Sequence, residues 1–191
     1  MIVAHAHKFI FIKLPKSAGT SIQVALAEHC GPDDIISSIG NIEGFVPQNE
    51  CPGCNPHASP KSIKSIVGDV VWDSYLKIIC VRNPWDLIVS WWHWHLKPCG
   101  FTEFVKKNLS AFDDFLLCDE FDFYIRFEHL DEDYKLLCDK LKIPYKVLPH
   151  HIGFRKAPAH YSTYYNDEAK SLISNKYKCV IDRFNYGFCE H

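Results

Sequence analysis

Apolar residues in this chain gather in short runs, and the spacing within each run points to the element it forms. Lys8 to Leu14 reads K-F-I-F-I-K-L, a brief run of aromatic and branched side chains, and predicts a strand that Pro15 ends. Thr20 to His29 sets Ile22, Ala25 and Leu26 near one face at helical spacing, so a helix follows. A helix is expected within residues 60–76, then a second strand over Lys77 to Val81, K-I-I-C-V. Asn83 and Pro84 open another helix, because proline suits a first turn, where its missing N–H costs nothing. Phe101 to Leu117 predicts one or two more helices, and Phe121 to Phe127 a third strand. Leu130, Tyr134, Leu137 and Leu141 recur at helical spacing, and Pro144 closes that helix. A last helix carries Ala169, Leu172, Ile173 and Tyr177, with Asn166 placed to cap it.

Strands that alternate with helices argue for an α/β chain with a P-loop-like three-layer fold, in which helices flank a central, mainly parallel sheet. The 191 residues suit a single domain, 1–191, with one irregular excursion at about 31–60. Gly-Pro, Cys-Pro-Gly-Cys and Asn-Pro punctuate that excursion as turn signals. It is expected to pass over a ligand site; a plain surface insertion is the other reading. With 21 basic and 23 acidic residues, the formal charge of −2 argues against a broad surface for nucleic acid or anionic membrane, and leaves room for a local basic pocket. No apolar run approaches a membrane span and no secretory leader is apparent, so a cytoplasmic setting is the default and an excised lumenal domain the alternative. The nine cysteines are an odd number in a chain large enough to fold without disulfides, which favours free thiols, with Cys80 and Cys138 as core filler.

Chemistry concentrates in Lys13-Leu14-Pro15-Lys16-Ser17-Ala18-Gly19-Thr20-Ser21. Small residues let backbone N–H groups approach an anion, and the helix that follows adds unpaired N–H groups and a favourable dipole. Ser17, Thr20 and Ser21 add hydroxyls, and Lys16 a charge. A capped helix after an edge lysine is the plainer reading. The segment is not an ordinary nucleoside-triphosphate loop, which needs a glycine, four residues, then glycine-lysine-serine or -threonine.

This segment resembles the 5'-phosphosulfate-binding loop of the sulfotransferase family, most closely its carbohydrate branch. Val81-Arg82-Asn83-Pro84-Trp85-Asp86-Leu87-Ile88-Val89-Ser90 resembles that family's 3'-phosphate-binding motif, and each segment follows a predicted strand. The resemblance implies a donor, 3'-phosphoadenosine 5'-phosphosulfate, held by Lys16, Ser17, Ala18, Gly19, Thr20 and Ser21 at one end and by Arg82 and Ser90 at the other. Arg82, after a strand, offers a planar donor fork suited to phosphate, and an ion pair with Asp86 is the structural alternative. Tyr124 to Leu130 and the stretch from Pro149 through Phe188, with Tyr161, Tyr165, Phe184 and Gly187, extend the resemblance. There Arg126 and Glu128 are read as structural partners. Arg155-Lys156 matches a basic lid over the 3'-phosphate, except that Ala157 stands where the family has glycine.

Sulfuryl transfer needs a base and stabilisation of the leaving phosphate. Lys16 is assigned the second task and His57 the first. Glu50 is the alternative base, and His93, Trp94 and Glu50 are candidates for acceptor contact. Trp91, Trp92 and Trp94 also suit core packing. Cys51, Cys54 and His57 form C-x2-C-x2-H, a zinc-like spacing whose fourth ligand would come from His29, Cys30 or Cys99; a disulfide between Cys51 and Cys54 is disfavoured in a reducing compartment. Catalysis requires no metal. The acceptor is a small molecule or a carbohydrate hydroxyl or amine, and the oligomeric state stays open. Two other readings remain: a magnesium-dependent small-molecule or nucleoside phosphotransferase, and a non-catalytic nucleotide- or zinc-binding module.

Overall fold

A computed structural model describes residues 1–39, 50–51, 53–97, 99–110, 121–149 and 159–189. In chain order the elements are β1 (Ile2–Ala4), β2 (Phe9–Ile12), α1 (Gly19–Ala27), β3 (Ile35–Ser37), β4 (Glu50–Cys51), α2 (Pro60–Ser74), β5 (Leu76–Val81), α3 (Pro84–Trp94), α4 (Phe101–Asn108), β6 (Phe123–Arg126), α5 (Leu130–Leu141), α6 (Asp167–Lys176) and α7 (Lys178–Phe184). They fall into two compact units, Met1–Val81 with Glu120–Ile152 and Arg82–Asp119 with Gly153–His191.

The first unit holds the sheet, in the order β4-β3-β1-β2-β5-β6. β2 pairs parallel with β5, β5 with β6 and β3 with β4, whereas β1 runs antiparallel to both β2 and β3. The sheet is therefore mixed, which corrects the expectation of a P-loop-like fold on a mainly parallel sheet. The cause is local. Only four residues join β1 to β2, with Lys8 at φ 51. A link that short closes an antiparallel hairpin, because a parallel return needs a crossover of a dozen residues or more. The expected irregular excursion also supplies two strands, and β3 binds the outer edge of β1 through Ile2 and Ile36.

One face of this sheet packs a single apolar cluster. Alternate residues Ile2, Ala4, Phe9, Phe11, Ile78, Cys80 and Ile125 meet Ile22 and Leu26 of α1 and Tyr134, Leu137 and Cys138 of α5. Ile22, Leu26 and Leu137 are fully buried, each contributing about 1.5–3 kcal/mol of transfer energy. Arg126 closes the end of β6 on α5. Its guanidinium donates to both carboxylate oxygens of Asp133, at 2.8 and 2.7 Å, and its backbone N–H donates to Oδ2 at 2.8 Å. α2 starts on a Ser59 cap and is broken at Gly68, whose φ of 78 interrupts the helix.

The second unit is helical. Asn83 caps α3 by accepting from the Trp85 N–H, at 3.1 Å. Tyr165 donates its hydroxyl to the Trp85 carbonyl at 2.8 Å, and the Phe188 ring meets the edges of Trp85, Tyr161 and Tyr165. Asn166 caps α6 through the Ala169 N–H. Burial pushes the Tyr165 hydroxyl far above its ordinary range, so it stays a donor.

Cys51 and Cys54 form a disulfide, which corrects the expectation of free thiols at these positions. The Cys54 N–H donates to the Cys51 carbonyl at 3.1 Å and Gly53 takes φ 92, so a tight turn brings the two Cα atoms to 5.5 Å, within bridging range. Cys80 and Cys138 are free and buried, as core filler should be. No helix among the described residues is long and apolar enough to cross a membrane.

Candidate functional site

The first group of candidate residues lies in the turn between β2 and α1. Lys16 and Ala18 both adopt left-handed backbone, at φ 61 and 58, and Gly19 begins the helix. Left-handed backbone costs a residue with a Cβ roughly 1–2 kcal/mol, so two such residues two positions apart mark a turn held in place by its surroundings. A left-handed residue next to a right-handed one turns successive N–H groups to one side, the arrangement that receives anions. Ser17 is fully buried and donates its hydroxyl to the Leu14 carbonyl at 2.9 Å. It ties the turn together, and the proton assigned to a ligand is already used. Thr20 and Ser21 stand half-buried in the first turn of α1, and Lys16 is half-buried beside them in sequence.

His57 joins this group. It lies just before the Ser59 cap of α2, with its N–H bonded to Asn55 Oδ1 at 2.9 Å. Its ring Nδ1 sits 2.8 Å from the Lys13 carbonyl. A carbonyl only accepts, so Nδ1 carries the proton and Nε2 keeps the lone pair in the neutral ring. Burial lowers the His57 pKa below 6.5; the Lys13 carbonyl opposes that shift, while Lys13, the Met1 amine and Lys16 reinforce it. The ring is therefore a neutral base at pH 7.

Lys13 was not singled out from the sequence, yet it is the most unusual cation of this group. It is only 6% exposed, and desolvation lowers its ammonium pKa to about 8. Its stem lies along Gly19: a Cβ built on that glycine would come within 2.6 Å of Lys13 Cγ. The legible signal was its place as the first residue past β2, at a strand end.

A second group of candidate residues, in the other unit, begins where β5 ends. Arg82 is 8% exposed and donates from Nε and Nη2 to one Asp86 oxygen, at 2.8 and 2.5 Å. The ion pair considered as an alternative role is thus formed. Ser90 is half-buried and stands one helical turn beyond Asp86, on the same face of α3. His93 lies between the rings of Trp92 and Tyr164, at centroid distances of 5.2 and 5.3 Å. Trp92 is buried and bonds the Cys99 carbonyl through its indole N–H, Trp91 packs on Phe104 and His95, and Trp94 is 44% exposed. Of the three tryptophans, Trp94 is the most exposed.

Other candidates separate from this picture. Glu50 lies in β4, and its side chain is outside the described residues, as are Arg155 and Lys156 altogether. The bridged sulfurs of Cys51 and Cys54 offer no thiolate to zinc, and the described residues hold no cluster of three or more His, Cys, Asp or Glu placed to bind a metal. Comparison with protein-family models, with curated proteins and with solved structures finds no match.

Proposed function

We propose that the chain is a sulfotransferase that moves a sulfuryl group from 3'-phosphoadenosine 5'-phosphosulfate to a hydroxyl or amine, with a carbohydrate or small molecule as acceptor. The observation that carries this reading is the pairing of the left-handed turn with His57, a half-buried neutral imidazole whose Nδ1–H is spent on the backbone of that same turn. The likeness of the two segments to the family's donor motifs supports it. So does the sheet register: β2 and β5 are parallel neighbours with Ile12 beside Ile79, so both end at the same edge, and the segments at Lys13 and Arg82 follow them in the chain.

In this reading the acceptor oxygen attacks sulfur, the bond from sulfur to the bridging oxygen breaks, and the nucleotide leaves with that electron pair. The acceptor's proton passes to His57 Nε2. Lys16 and the α1 N–H groups stabilise charge on the departing 5'-phosphate. Arg82 and Ser90 hold the 3'-phosphate, with Arg82 giving up part of its bond to Asp86. Trp94 and His93 contact the acceptor. The Cys51–Cys54 bridge fits an oxidising compartment, the lumenal one of the two settings considered.

The test is transfer of labelled sulfate from the donor to a panel of sugar and phenol acceptors, with magnesium chelated. Labelled product formed without magnesium is expected. Transfer of phosphate from ATP that needs magnesium, with no sulfated product, would refute the assignment.

A further inference from the structure

We infer that Lys13 is a second anion-binding lysine of this turn: a buried ammonium, its stem laid along Gly19 at the start of α1, that meets the 5'-phosphate end of the donor. The inference rests on the donor reading above and adds to it a residue and a measurable proton.

Three observations lead here. The first is isolation. Lys13 is more than nine-tenths buried, yet no ion pair or side-chain hydrogen bond ties its ammonium to the described residues. A buried cation without a carboxylate is costly, and it persists where an anion is to be received. Elsewhere in the first unit the buried charge Asp133 is fully matched by Arg126. The second is direction. Gly19 is the first residue of α1, a nine-residue helix with no side-chain cap, and the Lys13 Cγ occupies the space where any larger residue would place its Cβ. The stem therefore runs to the end of the helix where the N–H groups are unspent. The third is the company. The groups that face Lys13 are the Met1 amine, just before β1, and His57, ahead of α2; burial lowers the amine to about 4 and the imidazole below 6.5, so at neutral pH neither carries a charge. Neither is an acid that could balance the ammonium, and an oxyanion is the ligand that supplies the missing charge.

Lys13 then differs from Lys16 in kind. Burial holds its pKa near 8, so a share of the free protein carries a neutral amine in mildly alkaline buffer. Binding a phosphate beside it favours the charged form and pulls a proton from solvent. His57 and the Met1 amine are also lowered by burial, and both persist when Lys13 alone is replaced.

The experiment is calorimetric titration with 3'-phosphoadenosine 5'-phosphate, just above pH 8, in buffers of different ionisation heat, for wild type and Lys13→Met. That pH is above the range where the nucleotide's own phosphates titrate. Wild type should take up a sizeable fraction of one proton. Lys13→Met should bind about tenfold or more weakly, take up no proton, and unfold no more easily than wild type, because methionine keeps the stem and removes a buried charge. Lys13→Gln gives a second variant if the first does not fold. Binding without proton uptake in wild type, or equal affinity and uptake in the variant, overturns the role of Lys13 and leaves the donor reading standing. Absence of nucleotide binding by wild type overturns both.

Discussion

The two groups of candidate residues carry buried cations in opposite electrostatic states. Lys13 in the turn after β2 has no carboxylate among the described residues, whereas Arg82 after β5 already holds Asp86 with two donors. In the proposed reading the first is poised for an anion before any arrives, at the cost of burying a lone charge. The second is satisfied within the protein and must share its fork to take a phosphate. In that reading the donor meets two strategies: attraction prepared in advance at its reacting end, and exchange of partners at its anchoring end. The exchange favours specificity, since only a ligand with a well-placed phosphate repays what Arg82 gives up.

The largest effect that would break this picture concerns the reacting end. His57→Gln should lower turnover about 100-fold or more while donor affinity stays within a few-fold, because a general base contributes mainly in the transition state. The wild-type rate should fall only in acid, below the ordinary histidine range, as the burial-lowered His57 gains its proton. Stability follows the same sign: the unfolded chain protonates His57 more readily, so this residue's share of stability is complete above 6.5 and is lost as pH falls through the folded value. A rate profile flat into acid would remove His57 as base.

Next comes the anchoring end. Arg82→Ala should cost about 1.5–3 kcal/mol of nucleotide affinity. Asp86→Asn sharpens the contrast, since it keeps an acceptor for Arg82 and removes the competing charge. Binding should tighten a few-fold, by calorimetry. Weaker binding would mean that the carboxylate positions Arg82 and does not compete for it.

Gly19→Ala tests the contact between the turn and Lys13. The added Cβ meets Lys13 Cγ at 2.6 Å, so the lysine stem must shift, and a loss of about 1–3 kcal/mol in stability is expected by denaturant titration. Ala18→Gly should do the reverse on a smaller scale, raising stability by about 0.5 kcal/mol as the left-handed backbone is relieved against the freedom gained by the unfolded chain.

What was legible in the sequence was local. β2 and β5 announced themselves as apolar runs, Pro84 and Asn83 opened α3, and Asn166 capped α6, because each signal lies within a few residues of its effect. β1 was not legible: three residues cannot display an alternation, and its hairpin turn His5-Ala6-His7-Lys8 lacks the glycine or asparagine that usually advertises one. Missing it turned a mixed sheet into an expected parallel one. The Cys51–Cys54 bridge was weighed by compartment when the deciding fact was the turn at Gly53. Among the candidate residues, the turn and His57 were expected from the residue types together with the family resemblance. That Ser17 spends its proton on Leu14, and that Lys13 lies buried along Gly19, depends on packing that no spacing encodes.

The central claim is a donor pocket that reads the 3'-phosphate, and its most direct test is calorimetry with 3'-phosphoadenosine 5'-phosphate against adenosine 5'-phosphate under the same conditions. The account predicts clear binding of the first and at least about tenfold weaker binding of the second, from the loss of the charge-assisted bonds to Arg82. Equal affinities, or no binding of either, would contradict it.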